Sequence, residues 1–75
     1  MNLLNMDINE ELVIDSIETK DKALKERMLS LGLWPHAEIS IVRFGLFKST
    51  IMIAAGGTWI GLRKNEATII DVHKI

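Results

Sequence analysis

The stretch that decides the fold is residues 27–35, which read Arg27-Met28-Leu29-Ser30-Leu31-Gly32-Leu33-Trp34-Pro35. Upstream of its glycine, Leu24, Met28 and Leu31 are spaced i, i+4 and i+7. This spacing puts the three side chains on one side of a helix as an apolar stripe. The sequence therefore predicts a helix over residues 21–31, with that stripe facing the core.

Both ends of the predicted helix carry their own signals. Asp21 can accept a hydrogen bond from a backbone N–H of the first turn. Gly32 can adopt the left-handed conformation that ends a helix, and Leu33 then lies where a side chain packs back onto the last turn. Pro35 prevents the helix from continuing. These signals make this helix end the best-defined boundary in the chain.

Short runs of aliphatic and β-branched residues on both sides of the helix predict strands. The predicted strands cover residues 12–17, 37–44, 49–55, 58–62 and 68–72. A slip in the alternation over residues 42–44 predicts a bulge, and residues 45–48 and the pair Gly56-Gly57 predict turns. Residues 63–67 are expected to form one 3₁₀ turn. Such a small apolar sheet protects its edges by curling until the first and last strands meet, which predicts a mainly β, five-stranded, partly open barrel.

The composition limits the kind of protein this is. With 75 residues and no linker or repeat, the chain is predicted to be one domain over residues 1–75. No segment approaches the ~20 apolar residues of a membrane span, and no secretory signal is seen, so a soluble cytoplasmic protein is expected. The absence of cysteine excludes disulfides and thiolate chemistry. The formal net charge of −1 argues against a nucleic-acid partner.

Several short motifs along the chain resemble one known family. They are Arg27-Met28-Leu29-Ser30-Leu31-Gly32-Leu33-Trp34-Pro35, Gly57-Thr58, Leu62-Arg63 and Glu66-Ala67. In this order the motifs resemble the FeoA domain of ferrous iron transport protein A, whose helix ends in a similar Leu-Gly-Leu-x-Pro pattern. Two loops depart from the family pattern: His36 replaces a glycine, and Phe47-Lys48-Ser49 replaces a Gly-Asp-Pro tip. The resemblance implies an SH3-like barrel with one α-helix inserted after the first strand.

The resemblance also implies a function. It implies a small cytosolic accessory or regulatory protein of bacterial ferrous iron uptake, binding the cytosolic GTPase-bearing region of the membrane iron transporter, and peripheral at the inner membrane through that partner. The alternative is a metal-responsive regulatory or self-association module, related to the C-terminal domain of iron-dependent repressors. A homo-oligomer is compatible with either.

Neither catalysis nor a resident metal or other cofactor is predicted. No nucleophile, base and orienting residue stand at a recognisable spacing. His36 and His73 are weak candidates for metal ligands, because Glu38 and Asp71 lie two residues away, yet no third ligand is fixed by local sequence. Arg27 and Arg63 are expected to be architectural, with their guanidinium groups binding backbone carbonyls in the turns.

Apolar residues outside the predicted core are candidates for partner binding. Leu29 falls ~140° from Leu24 around the helix, and the others are predicted to lie in loops. The predicted partner-binding residues are Leu29, Trp34, Leu46, Phe47 and, at the rim, Lys48. Two readings stay open: Trp34 and Phe47 cover the barrel ends as lids, or they form a docking patch. Trp59 is expected to belong to the barrel wall.

Overall fold

The computed structural model describes residues 1–75. Its strands are β1 (Glu11–Ile17), β2 (Glu38–Phe44), β3 (Thr50–Ala55), β4 (Thr58–Arg63) and β5 (Ile70–Lys74). Its helices are α1 (Lys22–Ser30) and α2 (Lys64–Ala67), with 3₁₀ turns at Leu3–Asn5 and Leu46–Lys48. The strands form one antiparallel sheet in the order β4-β3-β2-β1-β5. The first and last strands pair, as expected, but the sheet does not close, so β4 and β5 are its edges.

Helix α1 begins and ends where the sequence predicts. The Asp21 carboxylate accepts the Leu24 N–H at 3.2 Å. Gly32 has a φ of +92°, and the Leu33 N–H reaches back to the Met28 carbonyl at 3.1 Å. These contacts form a Schellman motif, which satisfies carbonyls that the helix leaves without a partner. The Leu33 side chain is fully buried, so the predicted helix end is confirmed.

The apolar stripe of α1 differs from the prediction at its last position. Met28 is fully buried and Leu24 packs partly against the core. Leu31 is exposed, because it is the residue at which the chain leaves the helix. Its expected place in the core is taken by Leu33. Leu29, expected off the stripe, is half-buried.

The strands confirm one predicted irregularity and add another. The register of β2 against β3 shifts between Ile41 and Arg43, which is the predicted bulge. A second shift in β1, between Ile14 and Ser16, was not predicted, because residues 12–17 alternate without interruption. The 3₁₀ turn expected at residues 63–67 is instead the short α-helix α2, closed by the Thr68 N–H on the Lys64 carbonyl at 3.0 Å.

The N-terminal segment completes the core, although the sequence did not predict any structure there. Leu3, Leu4 and Met6 are buried together with the inward side chains of all five strands. Met1 and Val72 exchange backbone hydrogen bonds of 2.7 Å, so this segment lies along the outer edge of β5. The outer edge of β4 has no such cover. Neither helix has the length and apolarity required to cross a bilayer.

Candidate partner-binding surfaces

Several large apolar side chains lie on the surface, and four of them are Leu46 and the exposed aromatic residues. Phe47 is 90% exposed, Leu46 77%, Trp59 67% and Trp34 56%. The reading in which Trp34 and Phe47 act as lids is therefore wrong: the aliphatic core is filled by residues such as Leu33 without them. Trp59 belongs to a barrel strand, but its side chain is on the outer face. Such exposed side chains in a small protein are candidate contacts for a partner.

The turn that carries Phe47 has an unusual backbone. Phe47 and Lys48 have φ values of +54° and +56°, in the left-handed region that bulky residues rarely adopt. The Lys48 N–H donates to the Gly45 carbonyl at 3.0 Å, and the Ser49 N–H to the Leu46 carbonyl at 3.0 Å, which holds the turn closed. The side chains of Leu46 and Phe47 are thus presented to solvent by a fixed turn.

The Lys48 side chain connects this turn to other parts of the chain. Its ammonium donates to the Leu4 carbonyl at 3.1 Å and lies 4.6 Å from the centre of the Phe44 ring. These two contacts tie the turn to the N-terminal 3₁₀ segment. The Lys48 ammonium therefore interacts with groups of its own chain, although it was expected at the rim of a partner-binding surface.

The exposed residues fall into two groups at opposite ends of β2. Trp34 lies before the strand and Phe47 after it, and the seven residues of β2 span about 23 Å. We call Leu46 and Phe47 the hairpin-tip surface. Because Ala55 pairs with Ile39 near the start of β2, the β3–β4 turn and Trp59 lie at the Trp34 end of the sheet.

A shallow depression at that end joins the end of α1 to the β3–β4 turn. It is lined by residues that include Leu31, Gly32, Ala55, Gly56 and Thr58. We call Leu31, Trp34 and Trp59 the helix-end surface. The sequence did not point to Leu31 as a surface residue because it continues the apolar stripe of the helix, and it assigned Trp59 to the barrel wall. The half-buried Leu29 lies on α1, between Met28 and Ser30.

The two histidines occupy separate positions with different roles. His36 has a φ of +73°, and its backbone N–H donates to the Ile14 carbonyl at 2.7 Å. His73 contacts the Asp15 carboxylate through Nδ1. Nowhere in the chain do three histidine or carboxylate side chains come together in a way that could hold a metal ion.

A buried carboxylate joins the two helices. Glu66 is 3% exposed, and its Oε1 accepts the Arg63 backbone N–H at 2.9 Å. Its Oε2 pairs with the Arg27 guanidinium. Arg27 is thus architectural, as expected, but its partner is a carboxylate and not a turn carbonyl. The Arg63 guanidinium makes no hydrogen bond or ion pair within the chain.

Another ion pair ties the last strand to the loop before β1. Lys74 Nζ lies 2.9 Å from Glu10 Oε2. The hydrogen bond from Lys74 holds the pKa of the Glu10 carboxyl below its ordinary value, and the same bond raises the pKa of Lys74. The pair is on the surface.

The sequence identifies the family to which this fold belongs. The FeoA domain model matches residues 1–74. The chain belongs to the FeoA domain family. No curated protein matches it with significance.

Solved structures with the same fold include members of this family and larger proteins. Iron(II) transport protein A from Clostridium thermocellum is 29% identical, with a TM-score of 0.91, over 100% of this chain and 46% of that one. This FeoA chain therefore spans less than half of that relative. The zinc complex of Stenotrophomonas maltophilia FeoA, described as a prokaryotic SH3 domain protein, is 24% identical with a TM-score of 0.83, over 97% and 89%.

The same fold occurs in a regulator. A manganese-dependent transcriptional repressor in complex with manganese superposes with a TM-score of 0.92 at 17% identity, over 100% of this chain and 36% of that one. The likeness shows a shared fold. The SH3-like fold expected from the sequence is thus the fold of this chain, with a sheet that stays open between β4 and β5.

Proposed function

We propose that this FeoA-family protein is a cytosolic accessory protein of ferrous iron transport that binds the cytosolic GTPase-bearing region of the membrane iron transporter. On this proposal it acts by contact and carries no chemistry of its own. It reaches the inner membrane only through its partner.

The observation that carries the proposal is the exposure of apolar side chains on fixed backbone. Phe47 and Leu46 are the two most exposed large apolar residues, and they stand on a turn closed by its own hydrogen bonds. A rigid turn loses little conformational entropy when its side chains become ordered on a partner. Exposed aromatic residues are also frequent hot spots of protein interfaces. Family membership supplies the transport context.

The proposal is tested by titrating the purified cytosolic domain of the transporter with this protein by calorimetry. Variants Trp34→Ala and Phe47→Ala are expected to weaken binding by about 2 kcal/mol or more where the residue is a hot spot. Ile75→Ala is the matched control, because Ile75 is a large aliphatic residue whose 67% exposure lies between those of Trp34 and Phe47, and it lies in neither surface. The five predicted contacts Leu29, Trp34, Leu46, Phe47 and Lys48 form the first set of alanine variants.

The same assay distinguishes binding through the hairpin-tip surface from binding through the helix-end surface. If only the hairpin-tip surface binds, Phe47→Ala weakens the complex and Trp34→Ala does not. Both variants should unfold at nearly the wild-type temperature, because neither side chain fills the core. Absence of any heat of binding to the transporter domain by the wild-type protein would refute the proposal.

A second candidate is a metal-responsive regulatory or self-association module, favoured by the fold shared with the manganese-dependent repressor. It predicts that ferrous or manganous ions change the oligomeric state. Calorimetry with ferrous iron under anaerobic conditions, combined with sedimentation velocity, tests this. Submicromolar binding that His36→Ala or His73→Ala abolishes would favour the second candidate over the first.

A further inference from the structure

The outer edge of β4 is the one edge of the sheet without a neighbour. β4 pairs with β3 on one side only, whereas the outer edge of β5 is covered by Met1 and Asn2. A free strand edge presents backbone donors and acceptors that can pair with another chain. Most proteins cover or charge such an edge, so its exposure here needs an explanation.

The hydrogen-bond register identifies the free groups. The Lys64 N–H donates to the Ser49 carbonyl at 3.0 Å. In an antiparallel pair the hydrogen-bonded residues alternate along the strand, so Leu62 and Ile60 also hydrogen-bond to β3. The alternate residues Trp59 and Gly61 therefore direct their N–H and C=O groups outward. The Arg63 N–H is already bound by Glu66. The free edge is thus short and centred on Gly61.

Gly61 leaves the outer face of β4 bare beside the free N–H and C=O groups. It has no side chain to cover the strand, and a Cβ built there meets only the terminal methyl of Met52, at 3.8 Å. A glycine within a strand often marks a place where another backbone approaches closely. Trp59, two residues earlier on the same outer face, offers an exposed ring beside this position.

A basic cleft lies next to the free edge. It has a volume of about 560 Å³ and is lined by residues that include Arg27, Arg43, Gly61, Arg63 and Glu66. Glu66 already pairs with Arg27, whereas the guanidinium groups of Arg43 and Arg63 have no partner in the chain. The cleft therefore carries two uncompensated positive charges in a protein whose net charge is −1.

From these observations we infer that β4 takes up an extended, acidic segment of a partner protein as a sixth strand. The partner's backbone pairs with Trp59 and Gly61, and its carboxylates bind Arg43 and Arg63. A second copy of this chain is the poorer occupant, because its own β4 would bring Arg63 and no carboxylate. The inference builds on the proposed function, for which it names the chemistry of the bound segment.

The test uses a synthetic fluorescein-labelled peptide with alternating valine and glutamate, followed by fluorescence anisotropy. Its matched controls are the same peptide with lysine in place of glutamate, and the glutamate peptide with alternate backbone nitrogens methylated. The protein variants are Gly61→Pro, which removes the outward N–H, and Gly61→Ala, which keeps it. A further variant, Arg43→Gln with Arg63→Gln, removes the two free charges.

The glutamate peptide is expected to bind, more weakly as salt rises, whereas the lysine and methylated peptides are not. Gly61→Pro should weaken binding about three- to tenfold, as the loss of one hydrogen bond predicts, and Gly61→Ala should match the wild type. The double glutamine variant should weaken binding about fivefold and reduce its salt dependence. Equal binding of the methylated and unmethylated peptides, or of both charge versions, would overturn the inference whatever the variants do.

The same variants separate this inference from the proposed function. If the transporter domain binds the wild type and Gly61→Pro equally, the proposed function stands and the strand-addition surface is wrong for that partner. If the glutamate peptide binds as described and the transporter domain does not, the inference stands and the proposed function fails. A concentration-dependent dimer that Gly61→Pro abolishes would identify a second copy as the occupant and refute the acidic segment.

Discussion

Removal of the Arg27 guanidinium is expected to destabilise this protein more than any other substitution of a surface charge. Glu66 is almost fully buried and has two partners, the Arg63 N–H and Arg27. Arg27→Ala leaves its carboxylate with one hydrogen bond and no opposite charge. Breaking a fully buried pair costs about 3–5 kcal/mol, and because the Arg27 side chain is 56% exposed we expect about 2 kcal/mol.

That loss is large for a chain of this length. Typical values of about 0.05–0.15 kcal/mol per residue give a domain of this size a free energy of unfolding of about 4–11 kcal/mol. A loss of about 2 kcal/mol should lower the melting temperature by about 8–16 °C. The measurement is urea unfolding followed by far-ultraviolet circular dichroism. Tryptophan fluorescence is the weaker probe, because both tryptophans are exposed in the folded protein.

Two further variants make the reasoning refutable. Arg43→Ala removes an arginine without a partner and should change the free energy of unfolding by less than about 0.5 kcal/mol. In the Arg27→Ala background, Glu66→Gln should recover part of the loss, since glutamine keeps an acceptor for the Arg63 N–H without a buried charge. If Arg27→Ala costs no more than Arg43→Ala, or if Glu66→Gln recovers nothing, the buried pair does not stabilise the fold.

Three other outcomes are expected. Gly32→Val should cost about 1–2 kcal/mol in urea unfolding, because a β-branched residue is strained at a φ of +92°, and an unchanged midpoint would contradict this. Gly45→Ala should destabilise by about 1–3 kcal/mol, because its Cβ would lie 2.0 Å from the Thr50 hydroxyl oxygen, and Thr50→Ala in the same chain should recover much of that loss. The lowered pKa of Glu10 means that its pair with Lys74 stabilises the fold above the ordinary glutamate pKa of 4.5 and loses this effect as pH falls through the folded value. Glu10→Gln should therefore flatten the stability profile on the acid side of that pKa, and identical profiles would exclude the contribution.

Features fixed by neighbouring residues were predictable from the sequence. The end of α1 depends on Gly32, Leu33 and Pro35, which act within one turn, and the Schellman motif formed as expected. The bulge near Arg43 was also visible, because a slip in alternation is a local pattern. The bulge in β1 was not, since it follows from the pairing of Ile14 and Ser16 with β5, far along the chain.

Features set by the rest of the fold were missed or misplaced. Leu31 has the spacing of a core residue but lies where the helix ends, so its side chain is exposed. The N-terminal residues show no helical or strand periodicity in the sequence. Leu3 and Leu4 nevertheless complete the core, because their segment pairs with the edge of β5. The burial of Glu66 could not be predicted either, because it depends on a partner, Arg27, that lies on another helix.

The basic cleft beside β4 shows why the net charge of a whole chain is a poor guide to the charge of one surface in so small a protein. A net charge of −1 argued against a nucleic-acid partner, and Arg43 and Arg63 are twenty positions apart in the sequence. They line one cleft because Arg43 pairs with Met52, Met52 with Gly61, and Arg63 with Thr50 across three adjacent strands. Two positive charges separated in sequence thus become neighbours beside an unpaired strand edge. Their attraction for an anionic group therefore depends on the local arrangement of charge more than on the net charge of the chain.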